Sequence, residues 1–239
     1  MSAPTVVLPN HLPQHLLSNW SRNAPRKTAE LSNGLEELLA DRQALSAWLS
    51  WIANDSTQRA QVARASYWHV NGFAKLVLYN TAHVRIRLHI WPAGDERLGE
   101  SDPHSHRWSF ASTVLTGDGL AISEQREAAI GVAHTRYIYD GRQLVTDGCA
   151  QLCDAGSYVL TEGDRYITQT RTVHTVKPLG RDLVATLLVQ GPHTSSATLV
   201  YRPLGTPLPN ETTNPMEGQE VRRLITEVNS RLAAEELSR

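Results

Sequence analysis

The sequence predicts a mostly β domain, a sandwich or barrel of short strands, with helical segments at both ends. Three observations carry this reading. From about residue 67 to residue 202, runs of alternating apolar and polar residues recur between turns rich in Gly, Asp and Asn. Many short strands at regular spacing are the pattern of an all-β shell. Ahead of them, Leu35, Leu38, Leu39, Leu45, Trp48, Leu49 and Ile52 recur at helical spacing, and behind them Val221, Leu224, Ile225, Val228 and Leu232 share one helical face.

Taken in order, residues 1–30 read as an irregular lead containing Pro4, Pro9 and Pro13. No basic segment followed by an apolar core occurs there, so it is not read as a signal peptide. A helix is predicted from Ser32, with Asn33 as cap, Glu36 completing a capping box, and Asn54-Asp55-Ser56 marking its end. Trp48 and Trp51 on it read as core packing, with contact to a partner as the alternative. A second helical piece covers 57–66. Strands follow at 72–79 and 83–91, then a loop over 92–103. Further strands cover 104–116, 119–127, 134–139, 143–153, 157–161, 165–169, 172–177, 182–190 and 197–202. Gly117-Asp118-Gly119, Asp140-Gly141, Asp147-Gly148 and Gly163-Asp164 supply turn chemistry between them. A linker over 203–219 leads to the last helix. The expected division is 1–66 as a helical extension, 67–202 as the β domain and 203–239 as linker and helix.

The bulk properties exclude several function classes. The 239 residues carry a formal charge of -1, without an acidic or basic block. No basic stripe interleaved with aromatics suggests nucleic acid, and no stretch has the length and apolarity of a membrane span. The default location is cytoplasmic. Cys149 and Cys153 lack C-x-x-C spacing and would lie too far apart on a strand to bridge, so they read as reduced thiols.

The chemistry centres on His104-Ser105-His106. Two histidines at i and i+2 on a strand point to one face, which makes half a metal site. His174, on a second strand of the same style, offers the third imidazole. Neutral imidazole suits Fe, Zn, Cu and Ni.

These residues resemble the cupin superfamily. The first cupin pattern appears as Gly99-x4-His104-Ser105-His106-x3-Phe110-x6-Gly117, and the second as Gly163-Asp164 followed by His174. The resemblance covers roughly residues 70–202 and implies a small double-stranded β-helix, or jelly roll, with a metal in its mouth. Two departures matter. Phe110 stands where the first pattern has its carboxylate ligand, and Gln169 and Arg171 replace the Pro and Gly of the second. Without that carboxylate the set is similar to the three-histidine centre of cysteine dioxygenase and other thiol dioxygenases. The resemblance therefore implies His104, His106 and His174 as ligands, Fe(II) as first choice with other divalent metals behind it, and O2 and a small anionic or chelating molecule as substrates. It also implies a homodimer.

On the substrate side, residues 83–91 alternate strictly. Val84, Ile86, Leu88 and Ile90 form one face; Arg85, Arg87, His89 and Trp91 form the other. Either the aliphatic face is core and the basic face wet, as in most one-sided sheets, or the basic face lines the lumen. Thiol dioxygenases carry a carboxylate-binding Arg on a strand before the H-x-H segment, so the resemblance implies Arg87 as anion anchor, with Arg85 and His89 beside it. Trp108 and Phe110 would share the histidines' face as a dry, apolar wall that also lines the substrate site. Arg107 and Ser109 would point away. Tyr166 would bring a phenol near the centre, with Tyr201 as another candidate. The resulting reading is a mononuclear non-haem iron oxygenase of the dioxygenase kind. The alternatives are a redox-silent lyase, isomerase or hydrolase using Zn, Ni or Mn, and a binding module without catalysis.

Overall fold

The computed structural model of the protein describes residues 14–25, 27–94, 99–140, 143–206 and 214–236. Expectations for the first thirteen residues, the middle of the 92–103 loop, Gly141 and residues 207–213 of the linker lie outside the described residues. Four helices come first: α1 (Gln14–Arg22), α2 (Thr28–Leu39), α3 (Arg42–Asn54) and α4 (Ser56–Ala65). The strands are β1 (Tyr67–Trp68), β2 (Ala74–Asn80), β3 (Arg85–Trp91), β4 (Glu100–His104), β5 (Trp108–Thr116), β6 (Leu120–Ala128) and β7 (Val132–Tyr139). They continue with β8 (Leu144–Leu160), β9 (Arg165–Thr168), β10 (Val173–Pro178), β11 (Val184–His193), β12 (Thr198–Pro203) and β13 (Asn214–Pro215), and helix α5 (Gly218–Glu236) closes the chain.

The strands form a sheet in the order β13-β1-β2-β3-β11-β5-β9 and a closed six-stranded ring, β10-β4-β12-β7-β8-β6. Every pairing is antiparallel. The mostly β fold with helices at each end is therefore as the sequence predicts.

Alternation explains how the layers fit. On the sheet's outer face, Leu76, Leu78, Ile86, Leu88, Ile90, Leu187 and Val189 merge with Leu35, Leu38, Trp48, Leu49, Ile52, Leu224 and Val228 of the helices into one buried cluster. On the inner face, Phe73, Trp91, Val114 and Val184 meet Leu120, Ile122, Leu160 and Val176 of the ring. Both faces of this sheet are covered, so the helices take up an aliphatic surface that would otherwise face water. Trp48 is buried in that layer, and Trp51 packs half-buried against it.

Several local readings are corrected. The Pro-rich lead contains α1, because Leu16, Leu17 and Trp20 recur at helical spacing and are buried. The long helix from Ser32 is two helices. The first starts at Thr28, leaving Asn33 inside it, and Leu31, Leu35 and Leu38 bury its apolar stripe. Packing of that stripe outweighs a capping box, which contributes only about 1 kcal/mol. Gly34 of α2 is where the Trp20 indole lies; a Cβ there would collide with it. Asp41 caps α3, accepting a bond from Ala44 N at 2.8 Å. Asp55 caps α4 through Thr57 N and Gln58 N, both at 2.9 Å. Asp55→Ala is expected to cost about 1–2 kcal/mol, read as a lower urea midpoint with unchanged slope.

Among the strands, 143–153 and 157–161 are one continuous element, β8. Its ladder with β6 shifts register at Glu124/Gln125, opposite Gly156 and Asp154. Gly156 has φ +146°, and Asp154 Oδ1 accepts from its N–H at 3.2 Å, so the turn-like residues make a bulge and not a break. The 92–103 loop contains β4, and part of the linker returns as β13 to pair with β1. Cys149 and Cys153 are both free.

Candidate metal centre

The H-x-H segment does not lie on one regular strand. β4 ends at His104, β5 begins at Trp108, and residues 105–107 cross from ring to sheet. This corrects the single strand expected over 104–116. The crossing is pinned by buried Ser105: its N–H donates to Leu199 O, and its Oγ accepts from Leu199 N, both at 2.9 Å. His106 N donates to Thr170 O at 3.3 Å. His174 on β10 is the cross-strand partner of His104 on β4.

The three rings converge. Their centroids are 4.9 Å (His104–His106), 5.0 Å (His104–His174) and 5.1 Å (His106–His174) apart. One ligand nitrogen from each lies within 4.8 Å of the others. The Nε2 atoms of His106 and His174 are 3.0 Å apart. Two nitrogens at right angles on an ion about 2.1 Å from each are separated by about that distance. His104 Nδ1 lies 3.0 Å from Asp102 O. A carbonyl only accepts, so Nδ1 carries a proton at that contact, the usual outer support of a ligating histidine. Burial pushes His106 well below the ordinary imidazole value and His174 down to about 3. Both are neutral at neutral pH, the form a metal takes. The donor set fits a divalent metal.

A cavity of about 40 Å³ adjoins the cluster. β3 settles the open question about its alternating faces. Ile86, Leu88 and Ile90 go to the helical layer, while Arg87, His89 and Trp91 line the cavity. Arg85 stays at the strand's entry, its Nε donating to Asn80 Oδ1 at 2.8 Å, and is not among the lining residues. Arg87 is 8% exposed, and its Nε has no hydrogen-bond partner. Burial pushes its guanidinium down to about 10, so it remains charged. Its guanidinium carbon lies 5.2 Å from the Trp108 ring centroid, and that of Arg107 lies 5.6 Å away. Arg107 Nη1 donates to Asp140 O at 3.0 Å.

Trp108 and Phe110 flank His106 at 5.8 and 5.1 Å. Tyr166 packs edge-on to Phe110 at 5.9 Å, and burial raises its phenol. The dry wall is one-sided, however. Opposite it, His89 Nε2 and Trp91 Nε1 are buried without partners, and burial holds His89 well below its ordinary value. Tyr201 belongs elsewhere: it donates to Glu127 Oε1 at 2.7 Å, and its side chain packs with Leu152 and Val173. His193 lies tilted against Trp108, ring centroids 5.0 Å apart.

Two lining residues escape the sequence reading. Glu100 on β4 is 8% exposed, with Oε1 3.3 Å from Lys75 Nζ and Oε2 3.8 Å from His104 Nε2. Burial alone would raise its carboxyl; Lys75 first, then His104, more than offset this and hold it well below the carboxylate range. Its signal was its place four residues before His104, on the same face of an extended segment. For Lys75 the signal was a lone lysine between Ala74 and Leu76 in an alternating strand.

The depressed histidines give a pH prediction. His69 and His174 sit at about 3 when folded, against 6.5 ordinarily, with burial as the first cause for each. Between those values the unfolded chain binds more protons, so stability falls as pH is lowered through the window. The metal-free protein should lose thermal stability steadily from pH 7 towards pH 4, by up to about 1.4 kcal/mol per pH unit for each suppressed proton. A flat melting profile over this range would contradict the burial of these rings.

No protein-family model and no curated protein sequence matches the chain. Among solved structures it is similar to the cupin domain of Cnp3 from Schizosaccharomyces pombe, at 12% identity and TM-score 0.33, covering 51% of this chain and 66% of that one. It is similar to an RmlC-like cupin with a double-stranded β-helix fold from Methanocaldococcus jannaschii, at 14% identity and TM-score 0.28, covering 52% and 84%. KdgF from Halomonas sp. is similar at 14% identity and TM-score 0.30, covering 51% and 82%. Among the described residues, no helix is long and apolar enough to cross a membrane. In its own strand order and side-chain geometry, the chain pairs an antiparallel sheet with a closed six-stranded ring and gathers three histidines at one point.

Proposed function

We propose that this protein is a mononuclear non-haem iron oxygenase of the dioxygenase kind, acting on a small anionic or metal-chelating organic molecule. The observation that carries the reading is Arg87, a buried guanidinium with no carboxylate within ion-pair distance among the described residues, in the same cavity as neutral His106 and His174. A buried charge without a partner is costly, and a substrate carboxylate would relieve that cost through the two-pronged geometry that guanidinium favours. His104, His106 and His174 would hold the ion, which when bound supplies Lewis acidity and electron exchange with O2.

The chain's own groups do the rest. Arg87 grips the anionic end. Arg107 beside Trp108 adds positive charge and draws anions towards the mouth. Trp108 and Phe110 keep water from one side of His106. His89 and Trp91 offer hydrogen bonds on the other side, so a polar substrate is favoured over a hydrocarbon. The cavity volume limits the substrate to a few heavy atoms, far below the roughly 300–1,000 Å³ of sites for larger ligands. The neutral Tyr166 phenol stands ready as a proton donor beside Phe110.

A redox-silent lyase, isomerase or hydrolase is the second reading, favoured by Glu100, Lys75 and His89, acid–base groups lining the same cavity. Metal analysis of the purified protein with O2-uptake assays against a panel of small carboxylates separates the two. The oxygenase reading expects about one iron per chain and substrate-dependent O2 consumption. Zinc, nickel or manganese with turnover under argon favours the second reading. Iron-loaded protein that consumes no O2 across the panel overturns the first.

A further inference from the structure

We propose that Arg85 and Arg107 form a second anion-binding subsite at the mouth of the cavity, so that the substrate carries two anionic groups, one held inside by Arg87 and one outside by this pair. This rests on the reading that Arg87 anchors a substrate anion.

Three guanidiniums converge here. Arg85 and Arg87 stand at i and i+2 on β3, on one face and about 6.5 Å apart along the strand. Arg107 comes from the 105–107 crossing. Its guanidinium carbon and that of Arg87 lie 5.6 and 5.2 Å from the Trp108 ring centroid, so they are no farther apart than these two distances combined. His193, the register partner of Trp108, sits in the field of all three: burial first, then Arg107, Arg85 and Arg87, push its imidazole down.

What Arg85 and Arg107 touch is neutral. Arg85 Nε donates to Asn80 Oδ1 and Arg107 Nη1 to Asp140 O, while Arg107 Nε is buried with no partner. Among the described residues, neither has a carboxylate within ion-pair distance. Glu100, the acid that lines the cavity, is already matched by Lys75 at 3.3 Å. Like charges gathered in a half-buried place repel one another and give up part of their hydration. A single anion at Arg87 leaves two of the three unmatched; a second anion at the mouth matches them.

The cavity fixes where that second group goes. About 40 Å³ admits one end of a small molecule, and neither Arg85 nor Arg107 lines it. The other end therefore emerges at the mouth, beside Trp108. Gln190, in register with both Arg85 and Phe110, is 2% exposed and its Oε1 has no partner. Alternation puts it on the inner face with Leu188, where it offers a hydrogen bond to a hydroxyl or amide of a molecule that spans the two subsites. Carboxylate and phosphate-type groups both suit a guanidinium, so the class assigned is a short carbon chain with an anion at each end.

The test is calorimetric binding to the protein as purified, at about 0.5 M salt, where the screening length falls to about 4 Å and general attraction between charges is weak. The probes are propionate and butyrate, the diacids malonate, succinate, glutarate and adipate, and phosphonoacetate. One dianion is expected to bind about 10- to 100-fold more tightly than the monoacids, with affinity falling on either side of the best chain length; its head group tells carboxylate from phosphate. In R85M and in R107M the ratio of dianion to monoacid affinity should fall towards one. Chelation of a bound ion by a diacid would survive both substitutions, since both leave the three histidines in place. A dianion preference that persists in both variants overturns the proposal, as do equal affinities for monoacids and dianions in the unaltered protein. If the variants do not fold, the chain-length profile of the unaltered protein decides, and a profile without an optimum overturns the second subsite. Protein that binds neither class overturns the Arg87 anchor itself, a separate and recognisable outcome.

Discussion

His174→Ala protein is expected to carry less than a tenth of the metal of the unaltered protein and to show no turnover, while keeping its β shell. His174 is 1% exposed, its Nε2 lies 3.0 Å from that of His106, and its strand pairs with both β4 and β6. Removing an outer-shell partner of a metal ligand costs roughly 10–100-fold in affinity; removing the ligand itself should cost about 1,000-fold or more. The fold should survive for a reason visible at the same residue. His174 Nδ1 is buried with no partner, so alanine removes an unsatisfied polar atom along with the ring, and the cavity penalty is partly offset. Metal addition separates the two effects. A bound ion at about 1,000 times its Kd stabilises the native state by about 4 kcal/mol, so the unaltered protein should melt markedly higher with metal and the variant should not. Full metal content in His174→Ala would remove the basis of the enzymatic reading.

Arg87→Met should have opposite effects on function and stability. Truncating one partner of a buried, hydrogen-bonded charge pair costs about 2–5 kcal/mol, or roughly 30- to 4,000-fold in substrate affinity at 1.4 kcal/mol per decade. Metal content should not change, because Arg87 does not belong to the histidine cluster. The substrate-free protein, however, should become more stable, by about 1–3 kcal/mol. Methionine fills much of the same volume without a buried charge, at the loss of the guanidinium's contact with the Trp108 ring. Gain of stability with loss of substrate binding is the signature of a group retained for function. Arg87→Lys keeps the charge and should rescue poorly, since an ammonium lacks the planar fork. Unchanged catalytic efficiency in Arg87→Met would sink the anchor assignment; a fall in stability would mean that the side chain has a structural partner.

Element type was readable wherever one face of a segment was apolar and the other polar. The stripe on α5, the strands of both sheets and the turn at Gly117-Asp118-Gly119 all announce themselves in this way. Element limits were less readable. Capping residues contribute little against the packing of a stripe such as Leu31-Leu35-Leu38, so α2 begins at Thr28 and not near Asn33. A bulge and a turn draw on the same residues, so Asp154 and Gly156 kept β8 whole where a break was expected. Glu100 and Lys75 were hidden because neither stands in a histidine motif. What brings them to the cluster is the pairing of β4 with β10 and the placement of β2 beside β3.

The sequence by itself determined that the domain is a β shell between helices and that His104, His106 and His174 stand on elements able to meet. Periodicity and the H-x-H spacing are local properties, written in neighbouring residues. It did not determine which face of β3 looks inward. Arg85-Ile86-Arg87-Leu88-His89-Ile90 reads equally well as an aliphatic core face with a wet basic face or as the reverse. The tertiary structure decided this, because helices α2, α4 and α5 pack on the outside of the sheet and, with α3 behind them, share one buried cluster with Ile86, Leu88 and Ile90. With the aliphatic face taken, strand alternation turns Arg87 and His89 into the lumen.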